Sequence, residues 1–410
     1  MCAHPALCRA LALTLLAACG GAEASNLARA RTDTLPGGIV RVTSDGPTAW
    51  SDSAGVQLIE QSRFQGEDGT ESEIGDPRSL AVDDFGRVYV VDAKPAVIKV
   101  FTPEGRFVRT IGREGEGPGE FRIGFITVRG QHLVLHDPRL SRTSVFDTAG
   151  NYLRSWRTSC CYWSDIQVDR QDRIYIPSVV TNRSGENDEP RGTPYVRWSL
   201  DGKELDTLWV PRPHDPGKYW TVKVQKGGKD VGMMSTGIPF MPTLSHTLHP
   251  DGGIVYGWSG EYQLVRSNNG SDTLKLFGRA WTAEPVSDAR RSEEVANKIK
   301  EAGDSWGEEN LRSVFRVEDI PTTLPAFLNL RVDQAGRIWA KRYALTDQTR
   351  SYFDVFDSTG AYLGPVVAPL KLNDWGNQVW LRDGLVTLIE DQDGVPTVVR
   401  LKLGAPGAKF

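Results

Sequence analysis

The sequence predicts an all-β chain: a six-bladed β-propeller with four-stranded blades, N-terminal strand(s) closing the last blade, and a small helical insertion near 284–318. Three observations carry this expectation. A strand–turn–strand unit recurs six times, a second hairpin follows it, and the two ends of the chain supply complementary parts of one incomplete unit.

The repeat is clearest at Leu80-Ala-Val-Asp-Asp-Phe-Gly-Arg-Val-Tyr-Val-Val-Asp92, a strand, an Asp-x-x-Gly turn and a second strand. Residues 166–175 and 330–339 repeat it almost position for position, and 248–256 keeps its spacing. Shorter versions lie at 126–135 and 380–386. Second hairpins follow, turning at Gly105, Gly150, Gly202, Gly270 and Gly360. Alternating aliphatics give each blade two apolar faces that only neighbouring blades can bury, so the array has to close.

Closure is visible at the ends. The last unit offers three strands near 377–381, 385–390 and 396–403, while Trp50 to Ile59 reads as the end of a second hairpin with no first hairpin before it. The N-terminal segment is therefore expected to complete the last blade and remove the open edge.

Two intervals between repeat anchors, Val168 to Leu248 and Leu248 to Val332, are about twice the others. Residues 211–240 are rich in Pro and Gly and read as a loop. Residues 284–318 read as helix, with Val295, Ile299 and Ala302 on one face after Ser287-Asp288, and Leu311, Val314 and Phe315 in a second stripe. In a propeller, the turns within hairpins emerge at one end and the connections between hairpins and blades at the other. The insertions 211–240 and 284–318, and the stretch 181–193, all fall at the second, elaborated end.

The N-terminus reads as an export signal. Arg9 precedes an apolar run, Ala10 to Ala18, too short to span a bilayer and suited to a signal peptide. It ends in Leu16-Ala-Ala-Cys19, which resembles a bacterial lipobox with Cys19 as the lipidated residue. The expected organisation is a signal peptide over 1–18, a lipidated linker over 19–37 and a propeller over 38–404. Gly20 after the cysteine implies the outer membrane in a Gram-negative host. Beyond Cys19 only Cys160 and Cys161 remain, an adjacent pair that an oxidising compartment allows to close as a disulfide.

Residues 76–122, notably Asp76-Pro-Arg-Ser-Leu-Ala-Val-Asp83, Val88-Tyr-Val-Val-Asp92 and Gly112-Arg-Glu-Gly-Glu-Gly-Pro-Gly-Glu-Phe121, resemble an NHL repeat. The chain as a whole is similar to bacterial six-bladed β-propeller lipoproteins. That resemblance implies the fold; binding scaffolds, lactonases and an amidating lyase share it, so it implies no activity.

A formal net charge of −4 with interspersed signs excludes a basic nucleic-acid-binding stripe. No Gly-x-Ser-x-Gly elbow occurs, and spacing assembles no Ser, His and Asp set. His246 and His249 lie three apart in a strand, which sends them to opposite faces and disfavours a shared metal. The glycine-rich 112–121 stretch joins strands and enters no helix, so it reads as a between-blade turn. Asp83-Asp84 belongs to the tight-turn end, where Asp commonly accepts backbone bonds. Residues that open first strands at the elaborated end (Arg78, Asp165, His246, Asn329) or end second strands there (Asp92, Asp137, Lys341, Arg342) are the ligand-binding candidates.

The leading functional expectation is an envelope-anchored binding or scaffold module for a small molecule, peptide, glycan or protein, held to the membrane by its N-terminal lipid. The alternatives are a hydrolase or lyase with Ca²⁺ or another divalent cation at the channel mouth, and a structural subunit of an envelope complex.

Overall fold

The computed structural model describes residues 30–45, 48–50, 55–158, 165–178, 194–212, 218–226, 229–344, 347–373, 378–390 and 394–404. Six four-stranded antiparallel blades follow in chain order. Blade one spans Pro77–Val82 to Phe107–Ile111, blade two Phe125–Arg129 to Tyr152–Arg157, and blade three Gln167–Val168 to Glu204–Trp209. Blade four runs from Leu244–Leu248 to Lys275–Arg279 and blade five from Asn329–Val332 to Tyr362–Ala368. Blade six takes three strands from the C-terminus, Gln378–Leu381, Gly384–Glu390 and Pro396–Gly404, and its outermost, Gln57–Phe64, from the N-terminus. The chain thus closes its own ring, as the terminal fragments predict.

Burial follows from the alternation. One apolar cluster fills each of the six blade interfaces. Between blades one and two, for example, Tyr89, Ile98 and Val100 meet Phe121, Leu133 and Phe146. Each such side chain contributes about 1.5–3 kcal/mol when fully buried.

The tight-turn end is built from one repeated device. Asp83, Asp169 and Asp333 each accept the amides two and four residues on, the Nε of Arg87, Arg173 or Arg337, and the polar tip of Tyr89, Tyr175 or Trp339. Tight-turn-end contacts also tie blade to blade. Arg109 of blade one donates to the Ala149 carbonyl of blade two at 2.8 Å, and Arg154 of blade two to the Leu200 carbonyl of blade three at 3.0 Å. Lys275 of blade four reaches the Ser358 carbonyl of blade five at 3.3 Å, and Ser62 of blade six the Pro103 carbonyl of blade one at 3.0 Å. The turns they meet approach closely: Gly202, at φ +83°, would place a Cβ 2.7 Å from Trp156 of the preceding blade.

Three segments depart from the sequence expectation. Ala30–Leu35, expected within a linker, is a strand paired with Ile39–Ser44, and the latter runs parallel to the outer edge of blade four. Within 211–240, expected to be a loop, Tyr219–Lys226 and Lys229–Gly237 form a separate hairpin. The 284–318 insertion does form helices, α1 (Asp288–Trp306, capped by the Ser287 side chain) and α2 (Glu308–Val314). Hairpin and helices share one satellite core, in which Trp220 stacks on Phe315 at 4.6 Å and donates from Nε1 to Asp319 at 3.0 Å.

Candidate functional site

The first strands of all six blades enclose a central channel of about 330 Å³. At its tight-turn end it is clasped by Arg170 of blade three, whose amide donates to the Pro250 carbonyl at 2.8 Å. The Arg170 guanidinium pairs with Asp251 of blade four and with the Gln334 carbonyl of blade five. The next layer is aliphatic, formed by Val82, Val128, Val168, Leu248 and Val332. The elaborated end is polar, with Asp165, Gln167, Tyr195, His246, Arg331 and Gln378 on the wall.

His246 Nε2 lies 3.1 Å from the Tyr195 hydroxyl, and the two rings meet edge to face at 5.9 Å. Burial, reinforced by the nearby Arg331 charge, pushes the imidazole pKa down to about 4. It is therefore neutral at pH 7 and offers one donor and one acceptor.

A larger cleft of about 710 Å³ opens between blades four and five at the elaborated end. Arg279 and Tyr362 form its floor and cover Asp354, which is fully buried behind them and accepts from Tyr262 at 2.7 Å, Tyr362 at 2.6 Å and Arg279 Nη2 at 2.8 Å. Arg279 lies over both tyrosine rings, 4.9 and 5.1 Å from their centroids. Burial and then the Asp354 charge raise both phenol pKa values well above their ordinary value, so both stay donors. Arg342 lies above this floor, 4.0 Å from Asp354 and 3.4 Å from Glu284 on the rim.

The eight candidate ligand residues therefore separate. Asp165 and His246 line the channel, and Arg342 lines the cleft. Arg78 is exposed and paired with Asp76 at 2.8 Å, and Asn329 is half-buried at the start of its strand. Lys341 is buried and donates to the Leu372 carbonyl at 2.9 Å. Asp92 and Asp137 belong to the framework. Asp92 is buried against Lys99 at 3.3 Å and accepts from the amides of Gly75 and Asp76, and Asp137 accepts four backbone amides, from Arg122, Ile123, Arg139 and Leu140. A carboxylate spent on amides that enter its own blade has no lone pair left for a ligand.

Other expectations find their place. Residues 113–114 and 120–121 pair as a short parallel ladder with Phe121 buried beneath, so the glycine-rich stretch is a between-blade turn. Trp220 and Trp306 join the satellite core while Tyr219 is exposed. Cys19, Cys160, Cys161, Trp163 and the stretch 181–193 lie outside the described residues. Among the described residues no three His, Cys, Asp or Glu side chains gather as a metal-holding group, and no helix is long and apolar enough to cross a membrane.

Fold and site together define a six-bladed β-propeller with two polar recesses at one end. A family model described as DUF5128, 6-bladed beta-propeller, matches residues 67–187. No curated protein matches the chain. Among solved structures it is similar to a member of the DUF4221 family from Bacteroides vulgatus, at 11% identity over 86% of this chain and 99% of that one, with a TM-score of 0.48. It is also similar to virginiamycin B lyase from Staphylococcus aureus, at 11% identity over 85% of this chain and 100% of that one, TM-score 0.40. A PQQ-bound aldose sugar dehydrogenase from Streptomyces coelicolor shows 12% identity over 86% and 99%, TM-score 0.41. Likenesses this distant carry nothing about activity.

Proposed function

We propose that the chain is an exported, lipid-anchored binding module that seats a small polar molecule in the elaborated mouth of its channel. The observation that supports this reading most is the polarity of the channel: a mixed donor and acceptor rim at one end, an aliphatic layer below it, and an Arg170 clasp at the other. Chemistry is the weaker reading, because a general base works best with a pKa near the operating pH, and the His246 imidazole is held at about 4.

Native mass spectrometry of the protein purified from its host reads what the channel retains. Asp165→Asn and His246→Phe, which alter the rim, are expected to lose the bound molecule, whereas Glu104→Lys, on a turn at the opposite end, keeps it. Retention in both rim variants, or loss in Glu104→Lys with folding intact, overturns the assignment.

Anchoring through Cys19 rests on the Leu-Ala-Ala-Cys sequence after the apolar run. A clickable fatty acid fed to the host is expected to label the wild type and spare Cys19→Ala. Label that survives the substitution removes the anchor from the proposal.

A further inference from the structure

The cleft between blades four and five is separate from the channel and holds an underused cation. Asp354 is satisfied without Arg342: two phenols and the Arg279 guanidinium already reach it at 2.6 to 2.8 Å. Arg279 is spent in turn, since Nη1 donates to the Ala280 carbonyl at 3.0 Å while Nε and Nη2 hold Asp354. Arg342 differs. Among the described residues its one hydrogen bond is to Glu284, at 3.4 Å, and its approach to Asp354 is 4.0 Å, both long beside the ~2.7–2.9 Å of a charge-assisted bond. A planar guanidinium with five donors and one long bond is prepared to take a bidentate oxyanion.

The lining narrows the oxyanion. Trp281, Tyr343, Leu324, Pro325 and Pro365 bring aromatic and apolar surface to the same cleft, so an apolar body beside the anion is accommodated. Arg342 is the only such underused cation among the described lining residues, and a buried carboxylate lies 4.0 Å behind it, which disfavours a doubly charged phosphate. The rim also carries its own stand-in. Glu284 is exposed, its backbone carbonyl is pinned by the Leu324 amide at 2.8 Å, and its carboxylate occupies one edge of Arg342.

We infer that this cleft binds a small molecule that pairs a single carboxylate with a ring-sized apolar body, Arg342 taking the carboxylate in place of Glu284. The inference does not rest on the channel reading, since no residue lines both recesses.

N-acetylphenylalanine and its neutral amide are the probes, titrated by isothermal calorimetry into the full chain. The acid is expected to bind about tenfold or more tightly than the amide, the difference that hydrogen bonding to a charged group supplies. Arg342→Gln is expected to erase the difference. Glu284→Gln, an exposed substitution that leaves the fold alone, strengthens the acid several-fold by removing its competitor. Arg331→Gln, in the channel, leaves the acid unchanged. Equal binding of acid and amide, no binding of either, an unaffected Arg342→Gln variant, or displacement of the acid by inorganic phosphate at equal concentration overturns the inference.

Discussion

Asp137→Ala separates a framework carboxylate from a ligand-binding one. The native side chain is fully buried and accepts from the amides of Arg122 at 2.7 Å, Ile123 at 3.3 Å, Arg139 at 2.9 Å and Leu140 at 3.0 Å. Truncation leaves these donors without an acceptor, at about 1–3 kcal/mol for each one that water does not reach. Arg139 is exposed and recovers a water, so the loss is that of two or three amides, about 4–6 kcal/mol in all at about 2 kcal/mol each. For a chain of 410 residues the unfolding entropy is roughly 0.9 kcal/mol/K, which converts this into a fall in Tm of about 4–7 °C. Differential scanning calorimetry reads the shift directly, with the exposed Glu104→Ala as a control expected to stay within about 0.5 kcal/mol. An unchanged Tm for Asp137→Ala, accompanied by altered ligand binding, would refute the framework assignment.

Two further outcomes follow from the same geometry. Gly202→Ala combines a positive φ with a Cβ 2.7 Å from Trp156, and a loss of about 1–3 kcal/mol in urea denaturation is expected; a neutral substitution would mean that the turn is not pressed against the preceding blade. His136, His246 and His249 have imidazole pKa values held down at about 4, 4 and 3, chiefly by burial, the last two with help from Arg331 and Arg266. Because the unfolded chain takes up these protons first, near pH 6.5, stability is complete above that value and declines as pH falls toward 4. Urea midpoints measured at pH 7.5 and pH 5 are expected to drop at the lower value, in a window where most carboxylates are still ionised; equal midpoints would contradict the burial of the His136 and His249 rings.

The fold was legible because its signal repeats. Asp83, Asp169 and Asp333 perform the same bonding at the same place in three blades, and periodic spacing exposes such a position. Repetition also marks the residues that support a blade. Asp92 and Asp137 stand at equivalent positions, and Ser259 of blade four does the equivalent task by accepting the Thr243 amide at 2.9 Å. The carboxylate at this position serves the blade; Arg342 stands at the same position in blade five with the opposite charge and cannot accept amides, and His246 replaces the aliphatic residue that Leu80, Ile126, Ile166 and Leu330 supply in other blades. The cleft carries no such signal. Arg279, Glu284, Arg342, Asp354 and Tyr362 come from separate segments on both sides of the helical insertion, and no local pattern joins them. The hairpin over 219–237 was hidden by the proline-rich stretch before it, and Ala30–Leu35 by a Pro-Gly-Gly turn that resembles a linker.

The strand Ala30–Leu35 fixes where the chain leaves the ring. Ala30 pairs with Ser44, and Ser44 with Arg279, the residue that ends the outer strand of blade four at its elaborated end. The described chain therefore begins at the rim that carries the cleft. Ten residues separate Ala30 from Cys19, a reach of at most ~40 Å when fully extended. If Cys19 carries lipid, as proposed above, the Ala30 rim stays within that distance of the lipid headgroups. Both recesses would then meet solutes that travel close to the bilayer before they meet those of the bulk, and a longer leash, made by inserting a flexible segment at 20–29, would change what the protein can reach without changing what it can hold.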